Sequence, residues 1–359
     1  MEKMMKFLIL ENHYQEIKDV HSILMFETIC ECKPYFSIMI PTYQRANVLK
    51  DAIYSALHQI DISNFEIVII DNEIESNTDT EKVVKQFINE YPNIIIRYYK
   101  NIKNIGMVGN WNRCIELARG EWIVILHDDD MLHPLFLWYM SQYTNRPDID
   151  LIASESYMLQ DNKLRNFYED LSVNKRSHSL AKLKVRNFFW GNSYLCCGVS
   201  FRRSSALALG GFSAEDFPKI NTSPDYIFWV QMCLWGKSYK LNRKISLYRL
   251  SNFSGTAQLD NGFYKFDFIL KEELYELLGV RSIINSIWYA LGIVKQLLSI
   301  KRKYKIDKLS KVKDLFGIQL RYKNTNLLLR HDFTITTLLI ALKILFKIRS
   351  RIVKLLDSY

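Results

Sequence analysis

Four short apolar runs organise the chain from residue 36 to residue 126: FSIMIP (36–41), FEIVIID (65–71), IIIRYY (94–99) and WIVIL (122–126). Each is rich in β-branched residues and nearly unbroken in hydrophobicity, the pattern of strands covered on both faces of a sheet. Helical patterns lie between them. In MVGNWNRCIELARG, Trp111, Cys114, Ile115 and Ala118 fall at i, i+3, i+4 and i+7, and Gly120 supplies a C-terminal stop. Residues 45–58 and 78–91 fit two further helices. Strands that alternate with helices predict a right-handed βαβ series, hence an α/β fold with a mostly parallel central sheet flanked by helices.

A chain of 359 residues holds about two domains, or one large α/β domain with appendages. Residues 1–33 are expected to form an N-terminal extension of helical character ending at Pro34, residues 34–260 the α/β domain, and residues 261–359 a helical, basic C-terminal region. Apolar residues make up 48% and charged residues 24%, which excludes a disordered or fibrous chain. The formal charge of +10 is uneven: residues 1–270 hold 30 Lys+Arg against 31 Asp+Glu, and residues 271–359 hold 18 against 7. The apolar run at residues 7–10 is too short for a signal peptide, so a cytoplasmic location is expected. None of the six cysteines is spaced as C-x-x-C, which predicts reduced thiols rather than a zinc site.

Three strand ends carry the chemistry. Pro41, Thr42, Tyr43 and Arg45 follow the first strand, Asp71 and Asn72 end the second, and Asp128, Asp129 and Asp130 follow WIVIL. Ligands of open parallel sheets sit outside the carboxyl ends of the strands, so these groups are expected to converge on one crevice. Adjacent carboxylates repel, and burying them raises that cost unless a cation intervenes. Oxygen ligands of this kind suit Mg²⁺ or Mn²⁺ shared with substrate phosphates. The bland alternative is that the acids form a solvated turn or cap the helix that follows.

Together FSIMIPTYQRANVLKDAIYSAL, EIVIIDNE, NIGMVGNWNRCIELARGEWIVILHDDDML and GGF…SPDYIFWVQMCLWG resemble the GT-A fold glycosyltransferases of family 2, inverting enzymes that use nucleotide-sugar donors. The resemblance covers about residues 35–255. It implies that Pro41, Thr42, Tyr43 and Arg45 lie against the nucleotide and that Asp71 reads the base, usually uracil. It also implies that Asn104, Gly106 and Asn112 complete the nucleotide pocket. HDDD matches the family's acidic metal motif, with His127 standing where many relatives carry the first acid. The resemblance then assigns Asp128 toward the ribose, Asp129 to the metal and Asp130 as a second ligand or a cap. Asp225 matches the general base, with Glu215 and Asp216 as competitors, and a positioned carboxylate suits deprotonation of a sugar hydroxyl. His133 is read as packing, and Trp190, Tyr194, Trp229 and Trp235 as core rather than sugar platforms. Arg249 is a candidate contact for the diphosphate.

Near the C-terminus, Lys343, Lys347, Arg351 and Lys354 share one face of a predicted helix. Residues 282–359 are therefore expected to lie on an anionic membrane surface, on the inner face of the plasma membrane, or to pack as a helical pair or in a homo-oligomer. Nucleic acid is not an expected partner, because the basic residues are interleaved with Leu and Ile. The expected partners are a nucleotide-sugar donor and a saccharide or lipid-linked acceptor in surface polysaccharide synthesis. A sugar-nucleotide nucleotidyltransferase would carry a glycine-rich loop after the first strand, and PTYQRAN has no glycine. A non-catalytic assembly protein would have no use for Asp71, Asp129 and Asp225.

Overall fold

The computed structural model describes residues 11–28, 33–76, 78–160, 177–192, 194–213, 223–250, 261–279 and 283–303. Two compact units divide the chain, one of Met1–Phe188 with Asn192–Phe263, the other of Phe189–Gly191 with Tyr264–Tyr359.

The first unit is built on the four expected strands. β2 (Phe36–Thr42), β3 (Phe65–Asp71), β4 (Ile95–Asn101) and β5 (Trp122–Ile125) are buried along their whole lengths. They pair in parallel in the order β4-β3-β2-β5. Helices α1 (Ala46–Leu57), α2 (Asp79–Glu90) and α3 (Gly106–Leu117) form the connections. In α2, Thr78 caps the first turn by accepting from Glu81 N, and Val83, Val84 and Phe87 face the core. One charge pair is buried in this layer: Arg97 Nε donates to Glu66 Oε2 at 2.9 Å, while Ser37 Oγ donates to Glu66 Oε1 at 2.5 Å.

Residues 22–27 depart from the expected helical extension. Ser22–Glu27 form β1, an edge strand antiparallel to β4, and only His13–Glu16 make a helical turn, of 3-10 type. The apolar run SILMF has no alternation to mark it as a strand; backbone pairing to the open side of β4 decides the conformation, a tertiary effect that overrides local pattern. Ile23, Leu24 and Met25 consequently stay partly exposed.

Beyond β5 the sheet becomes mixed. β9 (Val199–Arg202) pairs antiparallel with both β5 and β7 (Leu151–Gln160), and β10 (Ser238–Leu250) runs parallel to β7. Two short strands, β6 (Met131–Leu132) and β8 (Leu180–Lys182), pair antiparallel with β10. Helices α4 (Phe136–Thr144), α5 (Arg203–Ala208) and α6 (Pro224–Trp235) complete this unit. α6 begins with Pro224 in its first turn and stops at Gly236, whose φ of 102° is a left-handed cap natural to glycine.

In the second unit, α7 (Asn261–Leu278) and α8 (Ile283–Lys303) are the described helices. Tyr275 stacks on Tyr289 with ring centroids 4.4 Å apart, and buried Lys271 bonds Asp267 and Gln296. Among the described residues, no helix is long and apolar enough to cross a membrane. Lys343, Lys347, Arg351 and Lys354 lie outside the described residues, as do Glu215, Asp216, Cys30 and Cys32.

Candidate functional site

From β2 the chain steps to β3 and β4 on one side and later returns as β5 on the other. Loops diverge at such a switch point, which leaves a crevice at the carboxyl ends of the two strands. A cavity of about 600 Å³ lies there. Pro41, Thr42, Tyr43 and Arg45 line it from β2, Asn104 and Gly106 from the start of α3, Asp128 and Asp129 from the turn after β5, and Asp225 from the first turn of α6.

The polar corner is a connected network. Thr42 Oγ1 donates to Asp128 Oδ2 at 2.8 Å. Arg45 reaches Asp128 Oδ1 at 3.3 Å and Asp129 Oδ2 at 3.2 Å. Burial pushes the Asp128 carboxyl up to about 6, with Arg45 pulling it down and Asp129 pushing it further up. At the start of α6, Asp225 accepts from Asn192 Nδ2 at 2.7 Å and from Ser223 Oγ at 2.9 Å. Burial raises its pKa, and these two donors oppose the rise.

His127 also lines the cavity, its ring stacked on Trp111 with centroids 5.0 Å apart. Burial lowers its pKa, which favours the neutral ring. Ligand atoms of His127, Asp129 and Asp130 all lie within 4.8 Å of one another. His127 Nε2 and Asp130 Oδ2 are buried without a hydrogen-bond partner among the described residues. His127 Nδ1 stands 3.7 Å from Asp130 Oδ2, and an unpartnered buried carboxylate oxygen is costly unless a cation meets it. The donor set of two carboxylates and an imidazole is chemically suited to a divalent ion.

Three expected nucleotide or metal residues are not among those lining the cavity. Asp71 is fully buried, accepting from Tyr98 OH at 2.7 Å and from Glu73 N at 2.9 Å. Asn112 sits on the inner face of α3 and clasps Phe212: its Nδ2 donates to Phe212 O at 2.8 Å and its Oδ1 accepts from Phe212 N at 2.7 Å. Its amide is spent on that backbone, so the structure gives it a wall-holding place instead of a ligand contact. Asp130 faces inward and accepts from Arg249 N at 3.0 Å. Arg249, expected near the diphosphate, instead braces the acidic turn: its Nε donates to Asp129 O at 2.9 Å and its guanidinium pairs with Asp51.

Residues 37–210 match the family model described as glycosyl transferase family 2. That match makes residues 37–210 a family 2 glycosyltransferase domain. An uncharacterized glycosyltransferase of Methanocaldococcus jannaschii is 27% identical over 201 residues, 55% of this chain and 64% of that protein. A Campylobacter jejuni protein named GalNAc(5)-diNAcBac-PP-undecaprenol beta-1,3-glucosyltransferase is 29% identical over 160 residues, 43% of this chain and 50% of its own. The chain therefore spans less than two thirds of the length of these curated relatives. A mannosyltransferase of Pyrobaculum calidifontis, solved with GDP-Man and Mn²⁺, superposes with a TM-score of 0.51 at 13% identity, covering 96% of this chain and 95% of its own. The α/β architecture is the GT-A type, with a central mostly parallel sheet flanked by helices.

In and beside this family 2 domain, the residues passed over as site members include Asn110, Trp111, Asn192, Cys196 and Ser223, all of which line the cavity. Trp111 was legible only as the apolar stripe of a helix. Asn192 lies in irregular chain, where no periodicity singles it out. Asn72, at the end of β3, is fixed by Asn101 Nδ2 at 2.7 Å and itself donates to Gly106 O at 3.0 Å, holding the turn into α3. Gly106 has φ 72° and its N–H donates to Asn104 Oδ1 at 2.8 Å, so this loop needs the left-handed freedom of glycine. Of the four aromatics read as core, Tyr194 and Trp229 are buried as expected, Trp190 packs on Trp288 in the second unit, and Trp235 departs from the expectation by being surface-exposed. Cys114, Cys196, Cys197 and Cys233 are free, buried thiols.

Proposed function

We propose that this chain transfers a sugar, with inversion, from a nucleotide-sugar donor of the UDP class to a hydroxyl of a saccharide or lipid-linked acceptor. One observation carries the reading: Asp225 and the Thr42–Arg45–Asp128–Asp129 corner line the same cavity. A base and an anion-handling corner that share one space are what attack on an anomeric carbon requires.

In this reading Asp225 accepts the proton of the acceptor hydroxyl as that oxygen attacks. Thr42 and Arg45 hold Asp128 toward the ribose, and Arg45, whose side chain is 41% exposed, remains able to turn toward a phosphate. Asp129 and Asp130, with His127 as third donor, would hold a divalent cation. Such an ion neutralises charge on a leaving diphosphate. The imidazole favours Mn²⁺ over Mg²⁺. The Pyrobaculum neighbour was solved with Mn²⁺, which agrees with this choice.

A lipid-linked acceptor is supported by the name of the Campylobacter relative, which acts on an undecaprenol-linked glycan. We extend the proposal to surface polysaccharide synthesis at the inner face of the plasma membrane, with the basic residues of 282–359 on anionic lipid. The test is turnover of a panel of UDP-, GDP- and dTDP-sugars with and without Mn²⁺. Metal-dependent release of one nucleoside diphosphate, abolished in both Asp129→Ala and Asp225→Asn, is the expected outcome. Full turnover in both variants would sink the assigned roles.

A further inference from the structure

Asp225 occupies the second position of α6, directly after Pro224, where a carboxylate is ordinarily free to interact with the helix N-terminus. The residue at the N-cap is Ser223, a type whose usual task is to accept from a backbone N–H of the first turn. Here Ser223 makes no such cap bond. Its hydroxyl instead donates to Asp225 Oδ1 at 2.9 Å. The helix forgoes its side-chain cap, and the hydroxyl is aimed at the carboxylate instead. Departures from a local rule of this kind concentrate at functional sites.

The other carboxylate oxygen is held from a different part of the chain. Gly191, at φ 94°, turns the backbone into Asn192. Tyr194 N then donates to Asn192 Oδ1 at 3.2 Å, closing a local turn. Because a backbone N–H can only donate, that bond fixes which end of the amide is oxygen, and Nδ2 is left facing Asp225 Oδ2 at 2.7 Å. Two donors from separate elements thus grip the two oxygens of one buried carboxylate, and all three residues line the cavity. The other titratable groups that act on Asp225 are His127 and Cys196.

We infer that Asn192 and Ser223 are positioning residues that hold the Asp225 carboxylate in a single orientation toward the acceptor hydroxyl. The inference rests on the proposed role of Asp225 as base. Neither residue touches the reacting atoms; each acts through Asp225.

The experiment uses the full chain and Mn²⁺-dependent turnover of UDP-glucose, comparing Asn192→Ala, Ser223→Ala, Ser223→Thr and Asp225→Asn. The expected result is a kcat about 10- to 100-fold lower in each alanine variant. The donor KM stays within about threefold, and Ser223→Thr, which keeps the hydroxyl, recovers most of the loss. A second measurement needs no substrate: the carboxyl ¹³C signal of labelled Asp225, assigned by its loss in Asp225→Asn, titrates about one pH unit higher in Asn192→Ala. An unmoved signal in Asn192→Ala overturns the inference. So does a kcat within twofold of the parent in both alanine variants, or a threonine variant no better than alanine. Activity retained in Asp225→Asn would overturn the base assignment itself, whereas an inactive Asp225→Asn beside fully active alanine variants removes only the positioning role.

Discussion

Thr42 Oγ1 donates to Asp128 Oδ2 at 2.8 Å, and so ties the end of β2 to the turn after β5 across the switch point of the sheet. Asp128 is nonetheless buried enough that its folded pKa rises to about 6 from an ordinary 3.8. Between those two values the folded chain holds a proton that the unfolded chain has released. Stability of the metal-free protein therefore falls as pH rises from about 4 to about 6 and stays lower above that. Asp128→Asn removes this penalty. Denaturant titrations in EDTA at pH 4 to 7 are expected to show a flatter profile and a gain of up to about 2 to 3 kcal/mol at pH 7. Donor binding weakens in the same variant. A profile parallel to the parent's would contradict the account.

His133 gives a slope of opposite sign. It is buried, its Nδ1 accepts from Leu135 N at 3.0 Å, and desolvation lowers its pKa to about 4. The unfolded chain takes up a proton near pH 6.5 that the folded chain refuses until about pH 4, so this residue costs stability as pH falls through that window. His133→Asn keeps an acceptor for Leu135 N and cannot titrate. The variant should lose less stability than the parent between pH 6.5 and 4, as read by thermal melts across that range.

Asn112 separates a structural from a ligand-binding role. Its two bonds clasp Phe212, whose ring packs at 4.2 Å on Phe228 and at 5.3 Å on Trp111. Asn112→Ala leaves two buried backbone groups unpaired, an expected loss of about 2 to 4 kcal/mol in unfolding free energy. The donor KM at 15 °C should remain within about twofold, since the side chain makes no cavity surface. A large rise in KM with an unchanged melting curve would restore it as a nucleotide contact.

The parallel strands and the helices between them were legible because their apolar runs are long relative to a strand and their signal is local. FEIVIID becomes β3 over Phe65–Asp71, unchanged. The acidic corner was legible for the same reason, since Asp128 and Asp129 are fixed by where β5 stops. The β1 edge was not, because pairing with β4 is a long-range choice that SILMF does not encode by itself. Nor was the grip on Asp225, which joins Asn192 to a helix start 33 residues away through a side-chain bond with no periodic trace. The inward turn of Asn112 depends on Phe212, a hundred residues on.

The Arg97–Glu66 pair is the buried charge on which the central sheet relies. Both side chains are almost fully buried and their charged atoms approach to 2.8 Å. Arg97→Ala leaves Glu66 buried without its counter-ion, with Ser37 Oγ and Arg119 N left donating to it, so the unfolding free energy should drop by about 3 to 5 kcal/mol. Replacing both residues with leucine should recover a good part of that loss, because the desolvation cost disappears with the charges. Urea denaturation of the two variants decides it: a double variant no more stable than Arg97→Ala would show that the pair contributes more than mutual neutralisation.

His127 in place of an acid should leave its mark on metal preference. Its ring is held by Trp111 and its ligand atom lies within 4.8 Å of those of Asp129 and Asp130. An imidazole donor raises affinity for Mn²⁺ more than for Mg²⁺, which prefers oxygen alone. In calorimetry on the donor-free chain, Mn²⁺ is expected to bind more tightly than Mg²⁺. His127→Ala should weaken Mn²⁺ at least about tenfold while changing Mg²⁺ less. His127→Asp, which makes the set all-oxygen, should shift the balance toward Mg²⁺. Equal losses for both ions in His127→Ala would mean that the histidine only shapes the pocket, and that the two carboxylates bind the metal without it.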